Sequence, residues 1–228
     1  MSLIEDGKPF LAALRPAERR ELLGQGSQRT YRGGDVIMRE DDPTSFVVAI
    51  ISGWTTVSVA TERGVRLILA LRGAGEVVGD QAAIDDRPRS ATITALGTVR
   101  GVVLTGDRFR AYLASRPPAM LLITRQFSAR LRSSDGERRS LASERVLQRL
   151  AARLVELAEH TGRPGPEGIA VDLPLPQSDI AAAVGSTREA VAKALRLLRD
   201  QQVVSTGARR FVVRDIDLLR LLARGRDT

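Results

Sequence analysis

The side chains with the most specific chemistry lie in the segment 176–200, where Arg188, Glu189 and Lys193 are grouped near the start of a predicted helix. At about 100° per residue these three share one helical face. In the major groove of DNA, Arg or Lys donates to guanine and Glu accepts from the cytosine amino group. Taken singly, Glu189 would serve equally well as a capping carboxylate, and Arg188 or Lys193 as a solvated charge. Their grouping predicts base recognition.

Two short helices joined at Gly185 must position this group. The inward face of the first helix is expected to contain Ile180, Ala183 and Val184, and that of the second helix Val191, Ala194, Leu195 and Leu198. Gly185 permits a left-handed turn between them. Ser186 is expected to cap the second helix, with Glu189 three residues later at the spacing of a capping box. This arrangement is a helix-turn-helix.

Two β-rich runs follow, Val203–Val204 and Phe211–Val213, around the turn residues Ser205–Gly207, so the pattern predicts a winged helix-turn-helix. The window 176–214 holds seven basic and three acidic residues, a balance of +4 that suits a phosphate backbone. The residues expected to contact DNA are Ser178, Thr187, Arg188, Glu189, Lys193 and Arg209.

Composition narrows the classes of function. The 228 residues carry a formal net charge of +8, which suits a densely negative partner, and the length suits one or two domains. The absence of cysteine excludes disulfides, thiolate zinc sites, cysteine nucleophiles and cysteine-ligated iron–sulfur clusters. No stretch of about 18 apolar residues occurs, and we expect a cytoplasmic protein that makes no membrane contact. The one histidine, His160, is expected at the surface.

The first half of the chain has the sequence pattern of an antiparallel barrel. Short β-rich runs separated by glycine and proline lie between Thr30 and about Leu104, which predicts a sandwich or jelly roll with a core mainly of Val, Ile, Leu and Ala. The candidate strands are Val36–Met38, Ser45–Ile51, Thr55–Ala60, Arg66–Leu71, Ala91–Ala95 and Val99–Leu104. A short helix, Pro16–Leu23, is expected before them.

The segment Gly75–Ala95 reads neither as ordinary strand nor as ordinary turn. It contains Gly79-Asp80 and then Arg89-Ser90-Ala91. This segment resembles the phosphate-binding cassette of the cyclic-AMP receptor protein and FNR superfamily. The physical basis is that an arginine offers fixed donors to phosphate oxygens, while a carboxylate can accept from a ribose hydroxyl. We call Gly79, Asp80, Arg89 and Ser90 the cassette residues.

The resemblance covers nearly the whole chain, because Tyr31–Asp42 is similar to the family's first barrel turn and Ser186–Leu198 to its recognition helix. It implies that Arg89 and Ser90 bind the phosphate of a cyclic nucleotide, with Gly79 and Asp80 on the phosphate or ribose side. The implied ligand is cyclic AMP, with cyclic GMP or no ligand as alternatives. One departure is Asp80, where the family's cyclic-AMP binders usually have the longer Glu.

A long helix is predicted from Pro117 to about Arg145, starting at a proline pair that suits a first turn. A 4,3 repeat along it predicts a dimer seam made by Met120, Thr124, Phe127, Leu131, Ser134, Arg138 and Leu141. Packing of this helix only on its own barrel is the alternative. The resemblance implies that Ser134, with Asp135 beside it, reaches the adenine ring across the dimer. Gly136 costs about 1 kcal/mol of helix stability relative to alanine, so the lower part of the helix is expected to be marginally stable without ligand. Ligand binding would then stabilise it.

The sequence therefore predicts an α+β protein with a jelly-roll β-barrel over residues 1–116, a dimerisation helix over 117–145 and a winged helix-turn-helix over 146–228. The expected function is a homodimeric transcription regulator, gated by a cyclic nucleotide and bound to double-stranded DNA at a pseudo-palindromic operator. RNA polymerase is a further partner that the resemblance implies. The alternative is a ligand-independent regulator whose barrel only supports the dimer. An enzyme is not expected, because no histidine or cysteine joins Asp80, Asp85 and Asp86.

Overall fold

The structure of the protein, a computed structural model, describes residues 3–4, 7–62, 64–173, 175–207 and 210–225. Contacts divide the chain into two units, one formed within residues 5–132 and the other within 1–4 and 133–228. We call them the barrel unit and the DNA-binding unit. The division falls inside the long helix, and the domain bounds 116/117 and 145/146 stay a prediction.

The barrel unit is a six-stranded antiparallel sheet with short helices at its ends. Its strand order is β1-β6-β3-β4, with β2 paired to β6 and β5 paired to β3. The elements are α1 (Phe10–Ala13), α2 (Pro16–Gly24), β1 (Ser27–Tyr31), β2 (Val36–Met38), β3 (Val47–Ala60), β4 (Arg66–Arg72), β5 (Val77–Val78), α3 (Asp80–Asp85), β6 (Thr92–Leu104) and α4 (Gly106–Ala114). The long helix α5 (Pro117–Ser143) begins in this unit and ends in the other.

Four of the predicted strands form only two strands in the structure. Ser45–Ile51 and Thr55–Ala60 are joined in β3, and Ala91–Ala95 and Val99–Leu104 are joined in β6. Gly53 lies inside β3 and Gly97 inside β6, with φ values of +90° and +86°. A Cβ at Gly53 would lie 2.3 Å from the Thr98 carbonyl oxygen. These glycines therefore allow the two strands to bend against each other, and the β3/β6 register shifts beside Gly53. Glycines that suggested turns in the sequence are bulges in the sheet.

The core of the barrel unit has an aromatic centre that the aliphatic composition did not suggest. Phe10, Phe109 and Tyr112 are among the largest fully buried side chains, and the rings of Phe10 and Phe109 meet edge to face at 6.3 Å. Ala119 and Ile123 of α5 are buried in the same cluster. The first turns of α5 are thus part of the barrel core.

The DNA-binding unit confirms the predicted winged helix-turn-helix. Its four-stranded sheet has the order β7-β8-β10-β9, in which β9 and β10 are the predicted wing and the hairpin β7–β8 was not predicted. The elements are α6 (Val146–Thr161), β7 (Arg163–Gly165), β8 (Gly168–Val171), α7 (Gln177–Val184), α8 (Arg188–Asp200), β9 (Val204–Gly207), β10 (Arg210–Val213) and α9 (Ile216–Ala223). None of the helices in the described ranges is long and apolar enough to cross a membrane.

Candidate functional sites

Gly79 forms the backbone corner of the cassette, directly before α3. Its φ of +80° is left-handed, a conformation that glycine adopts at little cost. A Cβ at this position would lie 2.6 Å from Met38 Cε and 2.7 Å from Arg89 Nη1. Glycine is therefore required here both by the backbone angle and by the close approach of the arginine.

Arg89 is the most firmly held cation of the cassette, with only 3% of its surface exposed. Its Nε donates to Thr44 Oγ1 at 3.1 Å, its Nη1 to the Gly79 carbonyl at 3.0 Å and its Nη2 to the Phe46 carbonyl at 2.6 Å. The guanidinium also lies 4.7 Å from the centre of the Phe46 ring. Within the described part of the chain these bonds use three of the five N–H groups, so the side chain is fixed in orientation and retains donors.

The charge on Arg89 is maintained despite its burial. Burial lowers the pKa of Arg89, while the carboxylates of Asp42 and Asp80 act in the opposite direction. An arginine pKa starts so high that the group stays protonated at any physiological pH. The cassette therefore presents a permanent, immobile positive charge.

Asp80 is buried as the first residue of α3, with 4% of its surface exposed. Its Oδ2 accepts a hydrogen bond from Arg130 Nη1 of α5 at 2.8 Å. The Arg130 guanidinium in turn lies 5.4 Å from the centre of the Phe127 ring. Arg130 was missed in the sequence, because an arginine on a long charged helix gives no signal of which carboxylate it meets.

Ser90 completes the group on the exposed side. It is exposed, and its Oγ donates to Oε1 of Gln81 on α3 at 3.1 Å. The structure thus brings Gly79, Asp80, Arg89 and Ser90 together around the start of α3. Ser134 and Asp135 are exposed and belong to the DNA-binding unit, so their role beside a ligand stays a prediction.

In the helix-turn-helix, Gly185 has the predicted left-handed conformation, with φ +62° and ψ +47°. The predicted cap of the second helix was wrong by one residue. Helix α8 begins at Arg188, and Thr187 is its N-cap, with Oγ1 accepting from the Ala190 N–H at 3.2 Å. Ser186 instead continues the turn, where its N–H donates to the Ala181 carbonyl. The capping box between Ser186 and Glu189 does not form.

The proposed reading face of α8 is free of the protein core. Arg188, Glu189 and Lys193 are exposed, and the predicted inward residues Val191, Ala194, Leu195 and Leu198 are buried. The pKa of Glu189 is lowered by hydrogen bonds from its own N–H and from the Thr187 side chain, with a smaller contribution from Arg188. Glu189 is therefore an ionised acceptor that also supports the helix start.

The remaining predicted DNA contacts have different positions. Ser178 is exposed in the first turn of α7, and Thr187 is exposed while serving as the cap. Arg209 lies outside the described residues. Arg199 was not predicted to have a role, but its Nη1 donates to Thr206 Oγ1 at 3.1 Å and so joins α8 to the wing strand β9.

The predicted seam on α5 divides into two parts. Leu131 is 65% exposed and Leu141 is 46% exposed, while Met120 near the helix start is 38% exposed. Phe127 differs, because it is partly buried against the barrel core. The alternative of packing on the barrel thus applies to Phe127, and the lower seam has apolar side chains in solvent.

Comparison with known proteins gives two family signatures. The cyclic nucleotide-binding domain matches residues 28–116, and the Crp-like helix-turn-helix domain matches residues 148–222. A CRP-like cAMP-activated global transcriptional regulator of Mycobacterium tuberculosis is 30% identical over 162 residues, which are 71% of this chain and 72% of that protein.

Two solved structures have the same fold. FixK2 from Bradyrhizobium japonicum superposes with a TM-score of 0.77 at 22% identity, covering 86% of this chain and 96% of that one. The c-di-GMP responsive global regulator CLP of Xanthomonas campestris superposes with a TM-score of 0.76 at 22% identity, covering 87% of this chain and 99% of that one.

Proposed function

The chain belongs to the cyclic-AMP receptor protein and FNR family of DNA-binding transcription regulators, and we propose that it acts as a homodimer gated by cyclic AMP bound in the barrel unit. The observation that carries this proposal is the buried Arg89 guanidinium, which is held rigidly against the left-handed Gly79 and still has donors to offer. A rigid, dehydrated cation suits a singly charged cyclic phosphate.

Each cassette residue has a distinct part in this proposal. Arg89 and the exposed Ser90 hydroxyl bind the phosphate oxygens, and the lack of a side chain at Gly79 leaves room for Arg89 to approach the backbone. Asp80 accepts from the ribose hydroxyl. Arg130 fixes the orientation of the Asp80 carboxylate.

The choice of cyclic AMP rests on the relative from M. tuberculosis, whose name describes a cAMP-activated regulator. The structural relative from X. campestris is named as responsive to c-di-GMP, so the fold alone does not select the nucleotide. Cyclic GMP is the alternative ligand, and a barrel that only supports the dimer is the alternative function.

The homodimer is supported by the exposed apolar residues Leu131 and Leu141 on α5, because much of each side chain is in contact with water in a single chain. Pairing of two α5 helices would bury both and would bring Ser134 and Asp135 of one subunit to the adenine ring bound by the other. A two-fold axis also sets the half-sites of a pseudo-palindromic operator about one helical turn, or a multiple of it, apart.

At each half-site Arg188, Glu189 and Lys193 would read base edges, with the wing and the surrounding arginines on phosphates. As a regulator of this family the protein would act on transcription through contact with RNA polymerase.

The test is isothermal titration calorimetry of the purified protein with cyclic AMP and with cyclic GMP. We expect saturable binding of one cyclic AMP per chain, weakened by at least about tenfold in Arg89→Ala, since a charge-assisted hydrogen bond is lost. Arg87→Ala is the matched control, because Arg87 is an exposed arginine two residues away, and it should bind normally. No binding of either nucleotide by the wild-type protein would favour the support-only barrel.

A further inference from the structure

Two apolar residues from the beginning of the sequence are buried in the DNA-binding unit. Leu3 is 1% exposed and Ile4 is 6% exposed, and both belong by their contacts to the unit formed by residues 133–228. The residues 5–132 that follow them in the sequence belong to the other unit. Leu3 and Ile4 are therefore a part of the DNA-binding unit that is distant from the rest of it in sequence.

The contact of Ile4 with the DNA-binding unit has a specific polar component. The Ile4 N–H donates to Glu156 Oε1 on α6 at 2.7 Å, in a buried position. Glu156 Oε2 accepts from Arg153 Nη1 at 3.2 Å, and Arg153 Nη2 donates to Glu137 Oε2 of α5 at 2.8 Å. Because the Glu156 carboxylate and the Arg153 guanidinium are buried and have little contact with water, each depends strongly on its hydrogen-bond partners.

The same ionic cluster also contacts the helix-turn-helix. Arg153 Nε donates to the Ala183 carbonyl, at the carboxyl end of α7, at 3.2 Å. The Ile4 N–H, Glu156, Arg153 and Ala183 thus form one continuous series of hydrogen bonds. Ile4 is therefore linked through Glu156 and Arg153 to the carboxyl end of α7, the first helix of the helix-turn-helix.

We propose that the DNA-binding unit contains a binding site for a short apolar peptide segment, with Glu156 as the acceptor for a backbone N–H, and that Leu3–Ile4 of the same chain occupies it. The occupied site then holds α6 and, through Arg153, the carboxyl end of α7, so that loss of Leu3–Ile4 from the site loosens the helix-turn-helix.

The experiment is hydrogen–deuterium exchange of the full chain, measured by mass spectrometry on peptides covering α6 and α7. Ile4→Pro removes the donor N–H and keeps an apolar side chain, whereas the control Ile4→Val keeps both. We expect exchange in α6 and α7 to become about tenfold faster or more in Ile4→Pro, because a hydrogen bond to a charged group is lost, and to be unchanged in Ile4→Val.

Leu3→Ser is a second variant that keeps every backbone N–H and removes the buried apolar side chain, so it should show the same increase. Peptides from β3 and β6 report on the barrel and should exchange as in the wild type. Equal exchange in α6 and α7 for all four proteins would overturn the proposal, and so would an equal increase in the barrel, which would indicate general destabilisation. The measurement needs neither nucleotide nor DNA, so its failure is distinct from failure of the proposed function.

Discussion

Replacing Leu131 by aspartate tests the proposed dimer without disturbing the fold of a single chain. Leu131 lies on α5 with 65% of its surface exposed, so it contributes little to the stability of one subunit. Full burial of a leucine side chain stabilises by about 1.5–3 kcal/mol, and burial of the exposed part contributes about 1–2 kcal/mol per chain. Two-fold symmetry doubles this to about 2–4 kcal/mol per dimer.

Leu131→Asp removes that contribution and places two carboxylates against each other in the seam. The dimer dissociation constant should rise by about 30-fold or more. Sedimentation velocity at micromolar concentration distinguishes the 24.7 kDa chain from a dimer of twice that mass. DNA affinity should fall together with the dimer, because a monomer contacts one half-site.

Arg132→Asp is the matched control, since it puts the same side chain one position further along α5, at an exposed site outside the 4,3 repeat. It should remain a dimer. An intact dimer in Leu131→Asp would show that the seam was assigned to the wrong face of the helix. Equal dissociation of both variants would show that added negative charge, rather than the seam, controls assembly.

Four further outcomes follow from the two sites. Arg89→Ala should weaken cyclic AMP binding by about 1.5–3 kcal/mol in calorimetry, and unchanged affinity would remove Arg89 from the phosphate site. Thr187→Ala should lower the free energy of unfolding of the DNA-binding unit by about 1 kcal/mol in denaturant titrations, while Ser186→Ala changes it by less than about 0.5 kcal/mol. Arg188→Ala and Glu189→Ala should each lose about 1–3 kcal/mol of discrimination at one or two symmetric operator positions at fixed salt; a uniform loss over all sequences would make Arg188 a backbone contact and Glu189 only a support for the helix start. The folded-state pKa of Glu189 is lowered, so its stabilising charge is fully present above the unfolded-state pKa and is lost only as the pH falls through the lower folded-state pKa. Base preference in binding assays should therefore stay constant from about pH 5.5 to 8. A change of preference within that range would contradict the assignment of Glu189.

The sequence predicted elements whose signal is local and periodic. The buried stripe and exposed face of α8 followed from helical spacing alone, as did the left-handed turn at Gly185. The helix start was displaced by one residue because Ser186 and Thr187 are both good caps, and the choice depends on the turn that Gly185 imposes. Local pattern also misread Gly53, because only the approach of the neighbouring strand distinguishes a bulge from a turn.

Contacts between distant residues were beyond such a prediction. The cassette residues were singled out because their order in the sequence resembles the family's cassette, whereas the Arg130 partner of Asp80 lies 50 positions away. Likewise the Ile4 N–H meets Glu156 over a separation of 152 residues. The charge and hydrophobicity of the residues indicate which side chains need a partner. Only the tertiary fold determines which partner each of them contacts.

Helix α7 is held through its main-chain carbonyls, and this affects how the operator preference of such a protein can evolve. Arg149 Nε donates to the Val184 carbonyl at 2.9 Å, and the neighbouring Arg153 uses the Ala183 carbonyl in the same manner. Main-chain carbonyls are present whatever residue occupies a position. Substitutions on the exposed faces of the reader therefore leave its attachment intact, and new DNA preferences can arise without loss of the architecture that presents them.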